Sequence, residues 1–112
     1  MKEIKWSDFE NIQIVTGTII SAKEFTEAKK QAYILEIDFG NEIGIKRSSA
    51  QIKDLYKADE LIGKQIIAVI NLPAKQIGPF MSECLITGFV QDDNSVILAI
   101  PDKIVENGLK LS

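Results

Sequence analysis

Residues 66–85 read IIAVINLPAKQIGPFMSECL, and this stretch decides the fold. Residues 66–72 are apolar except for Asn71 and are rich in β-branched side chains, a pattern that predicts a fully buried β-strand. Pro73 has no backbone N–H and a fixed φ angle, so we expect the strand to end there. The remainder of the chain is organised around this strand.

Beyond the predicted strand the same stretch becomes a loop of mixed character. A Gly-Pro pair at residues 78–79 interrupts regular structure, and Lys75, Phe80 and Met81 lie between two predicted strands. A cation, an aromatic ring and a thioether in one loop are typical of a recognition loop, in which Lys75 and Asn71 would contact a partner. The alternative for Phe80 and Met81, which we favour for these two, is a hydrophobic plug over one end of a barrel.

Length and composition predict an ordinary globular domain. The chain has 112 residues, so we expect a single domain over residues 1–112. Its longest apolar runs are well short of the roughly 18 residues that a membrane span needs, and the first ten residues contain no apolar signal region. The single cysteine, Cys84, cannot form an internal disulfide and fits a reducing compartment. We therefore expect a cytoplasmic protein.

The residue types present exclude several classes of enzyme. The chain contains no histidine, which excludes Ser-His and Cys-His nucleophilic machinery and any zinc site that uses histidine. Cys84 follows Glu83, whose negative charge disfavours a thiolate, so we do not expect a nucleophile. Neither a Walker-type sequence nor a G-x-G-x-x-G fingerprint occurs. The sequence predicts a binding module without catalytic residues, metal or cofactor.

Further strand patterns occupy most of the remaining chain. Residues 33–39 alternate between apolar and acidic side chains, which is the clearest strand signal. Residues 12–20 also predict a strand, and Gly17 in its middle predicts a bulge or a sharp bend. Other predicted elements are a Gly-Asn turn at 40–41, strands at 42–46, 85–90 and 96–100, a turn at 92–94 and a helical turn at 58–62. These short strands predict an all-β fold, a five-stranded OB-fold barrel.

Both ends of the chain carry apolar residues. Ser7 and Glu10 match a capping box and predict a short N-terminal helix that bears Trp6 and Phe9. Such a helix is too short to be stable alone, so it must pack on its own barrel or on a second subunit; the residues leave both open. We expect the C-terminal tail, residues 102–112, to be docked. Its apolar side chains are Ile104, Val105, Leu109 and Leu111.

Positive charge is concentrated in the middle of the chain. Residues 43–82 contain six lysines and arginines and three carboxylates, a net charge of +3 in a chain whose net charge is −3. Within them, Lys46 and Arg47 precede Ser48 and Ser49 at a predicted strand end, a combination suited to phosphates or base edges. A basic face on an acidic protein is compatible with nucleic-acid binding.

Several segments together resemble the tRNA-binding-domain family, which includes C-terminal domains of methionyl-tRNA synthetases. The resemblance runs through nearly the whole chain and is most specific over residues 71–83, NLPAKQIGPFMSE. The other segments that carry it are GTI at 17–19, AY at 32–33, IDFG at 37–40, IKRSSAQI at 45–52, LIGKQ at 61–65, PD at 101–102 and NG at 107–108.

The resemblance implies a homodimer of OB-fold barrels that binds tRNA and is not an enzyme. The implied RNA-binding residues are Lys46, Arg47, Ser48, Ser49, Asn71, Lys75 and Ser82. The implied dimer interface consists of the N-terminal helix and the C-terminal tail, with Trp6, Phe9, Ile104, Val105, Leu109 and Leu111. One branch of the family is described as chaperone-like and linked to protein export. It implies an alternative function, the binding of unfolded polypeptide in a surface pocket of the dimer, for which the candidate residues are Phe80 and Met81.

Two departures from the family pattern bear on RNA binding. Residues 13–17 read QIVTG where many members have Asp-x-Arg-Val-Gly, so one cation is lost. Glu83 and Cys84 follow the serine where Gly-Met is common, which places an acid near the implied RNA face. Tyr33 and Phe39 are expected to face the core, so few aromatic rings remain for base stacking. The sequence thus favours recognition of tRNA shape over reading of a single strand. A third interpretation is a structural dimer that docks on a larger partner such as a synthetase.

Overall fold

The computed structural model of the protein describes residues 1–112, which form nine strands and two short helices. The strands are β1 Ile14–Glu24, β2 Tyr33–Asp38, β3 Ile45–Ala50, β4 Gln65–Val69, β5 Lys75–Ile77, β6 Phe80–Ser82, β7 Leu85–Ile86, β8 Gly88–Val90 and β9 Val96–Leu98. The helices are α1 Trp6–Glu10 and α2 Ala58–Leu61. Neither helix has the length and apolar character needed to cross a membrane.

Five strands form the main antiparallel sheet, in the order β3-β2-β1-β4-β7, while β5-β6 and β8-β9 form two separate hairpins. The sheet curls until β3 approaches the chain that leads into β7. There the Glu83 N–H donates to the carbonyl of Arg47 at 2.8 Å, and the Arg47 N–H donates to Oε1 of Glu83 at 2.9 Å. The result is a nearly closed five-stranded barrel, which confirms the predicted OB fold.

The barrel is filled by the inward side chains of its alternating strands. Leu35 and Ile37 of β2 and Ile19 of β1 are fully buried, as the alternation predicted. A Cβ atom on Gly17 would lie 2.5 Å from Cγ2 of Ile37 and 2.7 Å from the Phe39 ring. Glycine is therefore needed for close packing at this position. The predicted bulge at Gly17 is wrong, because the pairing register of β1 shifts between Ile19 and Ser21 instead.

Strand β4 is shorter than the predicted buried strand over residues 66–72. It ends at Val69, and Leu72 is 51% exposed. The chain leaves the sheet here because the side chain of Asn71 is bonded to the N-terminal segment: its Oδ1 accepts the Gln13 N–H at 2.8 Å, and its Nδ2 donates to the Asn11 carbonyl at 2.7 Å.

Strand β3 begins later and runs further than the sequence indicated. It covers Ile45–Ala50, so the segment from Lys46 to Ser49 lies inside a strand and not at a strand end. The turn before it starts at the predicted Gly-Asn pair but is longer, because the Gly44 N–H donates to the Gly40 carbonyl at 2.7 Å. Both glycines have positive φ angles.

The predicted strand over residues 85–90 is divided between two sheets. The N–H and the hydroxyl of Thr87 both donate to the carbonyl of Ile67, at 3.0 and 2.7 Å. This ties β7 to β4, after which β8 turns away and pairs with β9. The predicted turn before β9 is present, with Asn94 at a φ of +70°. The predicted helical turn is also present as α2, which ends before Gly63, a residue with a positive φ.

The two ends of the chain meet beside β1. Helix α1 begins at Trp6, so Ser7 is not its cap; the cap position is Lys5, whose N–H donates to Oδ2 of Asp8 at 2.9 Å. The predicted docking of the tail is confirmed. The Gly108 N–H donates to the Thr16 carbonyl at 2.7 Å, and further bonds continue to the end of the tail.

Candidate RNA-binding face and apolar groove

The predicted recognition loop is the β5-β6 hairpin, which folds over the outside of the barrel. Phe80 is only 4% exposed and packs edge-to-face on Phe25, with ring centroids 5.4 Å apart, beside Ala32. This cluster is separate from the barrel core, and Ile34 of β2 packs against it, so Phe80 holds the hairpin against the barrel. Met81 is 46% exposed, and the plug prediction is wrong for it.

Lys46 and Arg47 are adjacent in sequence but lie on opposite faces of β3. Lys46 is paired in register with Ile37, whose side chain is in the core, and Arg47 is paired with Glu36 on the outer face. Successive side chains of a strand point to opposite sides. The guanidinium carbon of Arg47 lies 4.6 Å from the centroid of the Phe80 ring. Arg47 therefore belongs to the surface around the hairpin, and Lys46 belongs to the barrel rim near Cys84.

The serines of the predicted site divide in the same way. Ser48 is buried, and its hydroxyl donates to the Cys84 carbonyl at 2.8 Å. The hydroxyl of Ser82 lies 3.3 Å from that of Ser48 and also donates to the Cys84 carbonyl. Both hydroxyls thus take part in closing the barrel. Ser49 is the serine whose side chain shares the outer face with Arg47.

Lys75 lies on the exposed hairpin edge, paired in register with Ser82. The structure contains one ion pair, between Lys53 and Glu24 at 2.8 Å. Lys75 and Arg47 therefore have no carboxylate partner and keep their charge available to an anion. No group of three or more carboxylate or thiol side chains comes close enough together to hold a metal ion.

A groove of about 500 Å³ runs between the end of β3, the β5-β6 hairpin and the β8-β9 hairpin. Most of its lining is apolar, and Lys75 and Ser82 stand at one end. The apolar lining includes Ile52, Ile77, Ile86, Val90 and Val96.

Cys84 lies in the wall of this groove as a buried free thiol. Burial raises the pKa of the thiol to about 11, against a smaller opposing effect of the hydrogen bond to Ser48. The thiol stays protonated at neutral pH, and it is a packing residue.

The comparisons with known proteins agree with this geometry. Residues 14–110 match the family model described as "Putative tRNA binding domain". The chain belongs to the tRNA-binding-domain family. It is 33% identical over 111 residues to the methionine–tRNA ligase of Pyrococcus horikoshii, an alignment that covers 99% of this chain and 15% of the ligase. The chain thus spans a small part of the curated relatives that it matches.

Two solved structures are similar over nearly the whole chain. The chaperone CsaA of Bacillus anthracis superposes with a TM-score of 0.94 at 43% identity, covering 99% of this chain and 100% of that one. The CsaA chaperone protein of Picrophilus torridus gives a TM-score of 0.92 at 49% identity, covering 98% and 100%. The resemblance quoted from residues 71–83 is thereby confirmed.

In this member of the tRNA-binding-domain family, the predicted interface residues lie at the two chain ends. Trp6 is 84% exposed and Ile104 83% exposed, and Leu109 and Leu111 are also exposed. The ends are held together, because Nζ of Lys110 donates to the Glu10 carbonyl at 2.9 Å. Phe9 and Val105 are half-buried.

Sequence reasoning missed two features of the site. It did not identify the stack of Arg47 on Phe80, because these residues are 33 positions apart and only the fold of the hairpin brings them together. It also missed Val90 and Val96 as groove residues. No pattern in the sequence indicated them, because residues 88–90 do not alternate and all three are exposed; the fold of the β8-β9 hairpin brings Val90 and Val96 to the groove.

Proposed function

We propose that residues 1–112 are a single non-catalytic tRNA-binding domain, which acts in the cytoplasm as a homodimer. The observation that carries the proposal is the pair of cations without carboxylate partners, Arg47 and Lys75, on the outer face of a fold whose family is described as tRNA-binding. Ser49 lies on the same face and supplies a hydroxyl. Ser48 and Ser82 support that face by closing the barrel behind it. Lys46 is on the other face of β3 and Asn71 bonds to the N-terminal segment, so we assign neither of them to the RNA contact.

The chemistry of this face suits a folded RNA. Each phosphate bound by a lysine or arginine releases condensed counterions, so binding has a steep dependence on salt. A protein that binds a nucleic-acid duplex mainly through its phosphates uses many more cations than these two. Specificity must therefore come from the fit of the RNA shape around the β5-β6 hairpin. The Glu83 carboxylate, which seemed from sequence to oppose RNA, accepts the Arg47 N–H and is part of the barrel closure.

A salt titration of tRNA binding tests the proposal. Arg47→Ala and Lys75→Ala should each weaken binding and each lower the slope of log affinity against log salt by about one unit, one lost phosphate contact apiece. Lys46→Ala should change the slope less, because that side chain is on the other face of β3. Lys103→Ala, in the tail, is the matched control for loss of one charge. Unchanged slopes for both Arg47→Ala and Lys75→Ala would overturn the assignment of this face.

A second candidate function, the binding of unfolded polypeptide, is favoured by the apolar groove. Phe80 is buried and Met81 does not line the groove, so the accessible groove residues Ile86, Val90 and Val96 replace them as candidates. Binding there should be nearly independent of salt and should survive Arg47→Ala. Val90→Asp should abolish it while leaving tRNA binding intact. Affinity for a reduced, unfolded model polypeptide, measured beside the tRNA titration, separates the two functions.

A further inference from the structure

The guanidinium of Arg47 lies over an aromatic ring. Its guanidinium carbon is 4.6 Å from the centroid of the Phe80 ring, a distance typical of a cation–π stack. The ring itself cannot move freely, because Phe80 is buried and its edge contacts Phe25. The side of Arg47 that faces away from Phe80 is exposed to solvent.

This arrangement leaves one planar face of the Arg47 guanidinium uncovered. A guanidinium is flat and stacks on π systems through either side, which an ammonium group does not do. With one side on Phe80 and no carboxylate in ion-pair contact, the other side is free to stack against a second flat group. In RNA, an unpaired base that is unstacked from its neighbours offers such a flat group, and guanidinium planes stack on bases of this kind.

We propose that Arg47 is a stacking platform for one unpaired base of the bound RNA. This proposal rests on the proposed tRNA-binding function and goes beyond its phosphate contacts. The base lies on the guanidinium of Arg47, which lies on Phe80, so that the three flat groups form one column on the outer face of the barrel. The aromatic surface that the sequence lacked for stacking is thus supplied by a supported arginine.

Neighbouring residues complete a site for a single nucleotide. Ser49 follows Arg47 by two positions on the same face of β3, and its N–H donates to the Ser82 hydroxyl at 3.4 Å. Lys75 is paired with Ser82 across the hairpin. A nucleotide whose base stacks on Arg47 therefore has a hydroxyl donor on the same strand and a cation on the adjoining hairpin.

The test compares two RNA hairpins that differ in one feature. One has a four-nucleotide single-stranded 3′ extension, and the other has the same extension with abasic riboses, so that both carry the same phosphates. The wild-type protein should bind the RNA with bases about tenfold more tightly, a difference in line with the stacking of one base. Arg47→Lys keeps the charge and loses the planar face, so it should remove this difference and leave the salt slope unchanged.

Two further variants keep the test decisive. Phe80→Leu retains an apolar side chain in the cluster but removes the ring beneath Arg47, and it should also reduce the preference for the RNA with bases, in protein shown by circular dichroism to be folded. Lys75→Ala should lower the salt slope and leave the preference intact.

An equal preference in wild type and Arg47→Lys would overturn the platform while leaving tRNA binding in place. Absence of any preference in the wild type would do the same. If the wild-type protein binds tRNA but neither hairpin, the platform alone is overturned. If it binds neither the hairpins nor tRNA, the proposed function itself fails, and this outcome is distinct from the others.

Discussion

Cys84 is a thiol buried where the barrel closes, next to the hydroxyls of Ser48 and Ser82. Burial raises its pKa from 9.0 to about 11. The unfolded chain therefore loses the thiol proton at a lower pH than the folded chain does. Between these two values the folded state binds more protons, so the free energy of unfolding falls as pH rises.

We expect this titration to be measurable as a difference from Cys84→Ala. The wild-type protein should lose about 2–3 kcal/mol of stability relative to the variant as pH rises from 9 to 11, and the difference between them should be constant below pH 8. Urea denaturation at a series of pH values measures it. Lysine titration affects both proteins equally and cancels. A constant difference over the whole range would mean that the thiol is accessible to water in the folded protein.

Lys46 and Arg47 show what sequence can and cannot predict at the scale of one residue. The positive charge of both side chains was evident from the sequence. However, Lys46 and Arg47 lie inside β3, where successive side chains point to opposite faces. Because the sequence pattern indicates a strand end at these two residues, it could not show that they lie on opposite faces. Ser48 illustrates the same limit: a serine suited to bind phosphate is 1% exposed, because the barrel closes through its hydroxyl.

At the scale of elements, alternation over residues 33–39 predicted β2 well, because one face of that strand is buried and the other is not. The β5-β6 hairpin was not predicted, since its strands are three residues long and carry no recognisable period. Its position is determined by Phe80, which packs on Phe25 from a distant part of the chain. Contacts between residues far apart in the sequence determine where a short hairpin lies, and such contacts cannot be recognised from the local sequence pattern.

Asn71 connects the end of β4 to the N-terminal segment, and we expect its contribution to be structural. Its side chain bonds to the backbone of Asn11 and Gln13, which fixes the N-terminal segment to the end of β4. Asn71→Ala should therefore lower stability by about 1 kcal/mol and leave the affinity of the folded protein for tRNA unchanged. Asn41→Ala, in an exposed turn, is the control. A loss of tRNA affinity without loss of stability would instead support the contact with RNA implied by the resemblance.

At the scale of the whole molecule, the sequence predicted a barrel with apolar residues at both ends of the chain. The structure places both ends on one side of the barrel, through the bond from Lys110 to the Glu10 carbonyl and the pairing of the tail with β1. Trp6 and Ile104 are nonetheless almost fully exposed. Large apolar side chains gathered on one surface are typical of a protein–protein interface.

We expect this surface to form the homodimer interface. Trp6→Ala and Ile104→Asp should each convert the dimer to a monomer, seen by sedimentation velocity, and should change the stability of the monomer little, because neither side chain is packed within it. Removing residues 103–112 is a less selective test, since it also removes the bonds that the tail makes to β1. Phe89→Asp, at an exposed position on the β8-β9 hairpin, is the matched control and should remain a dimer. A dimer that survives both Trp6→Ala and Ile104→Asp but is lost in Phe89→Asp would place the interface on that hairpin, next to the apolar groove.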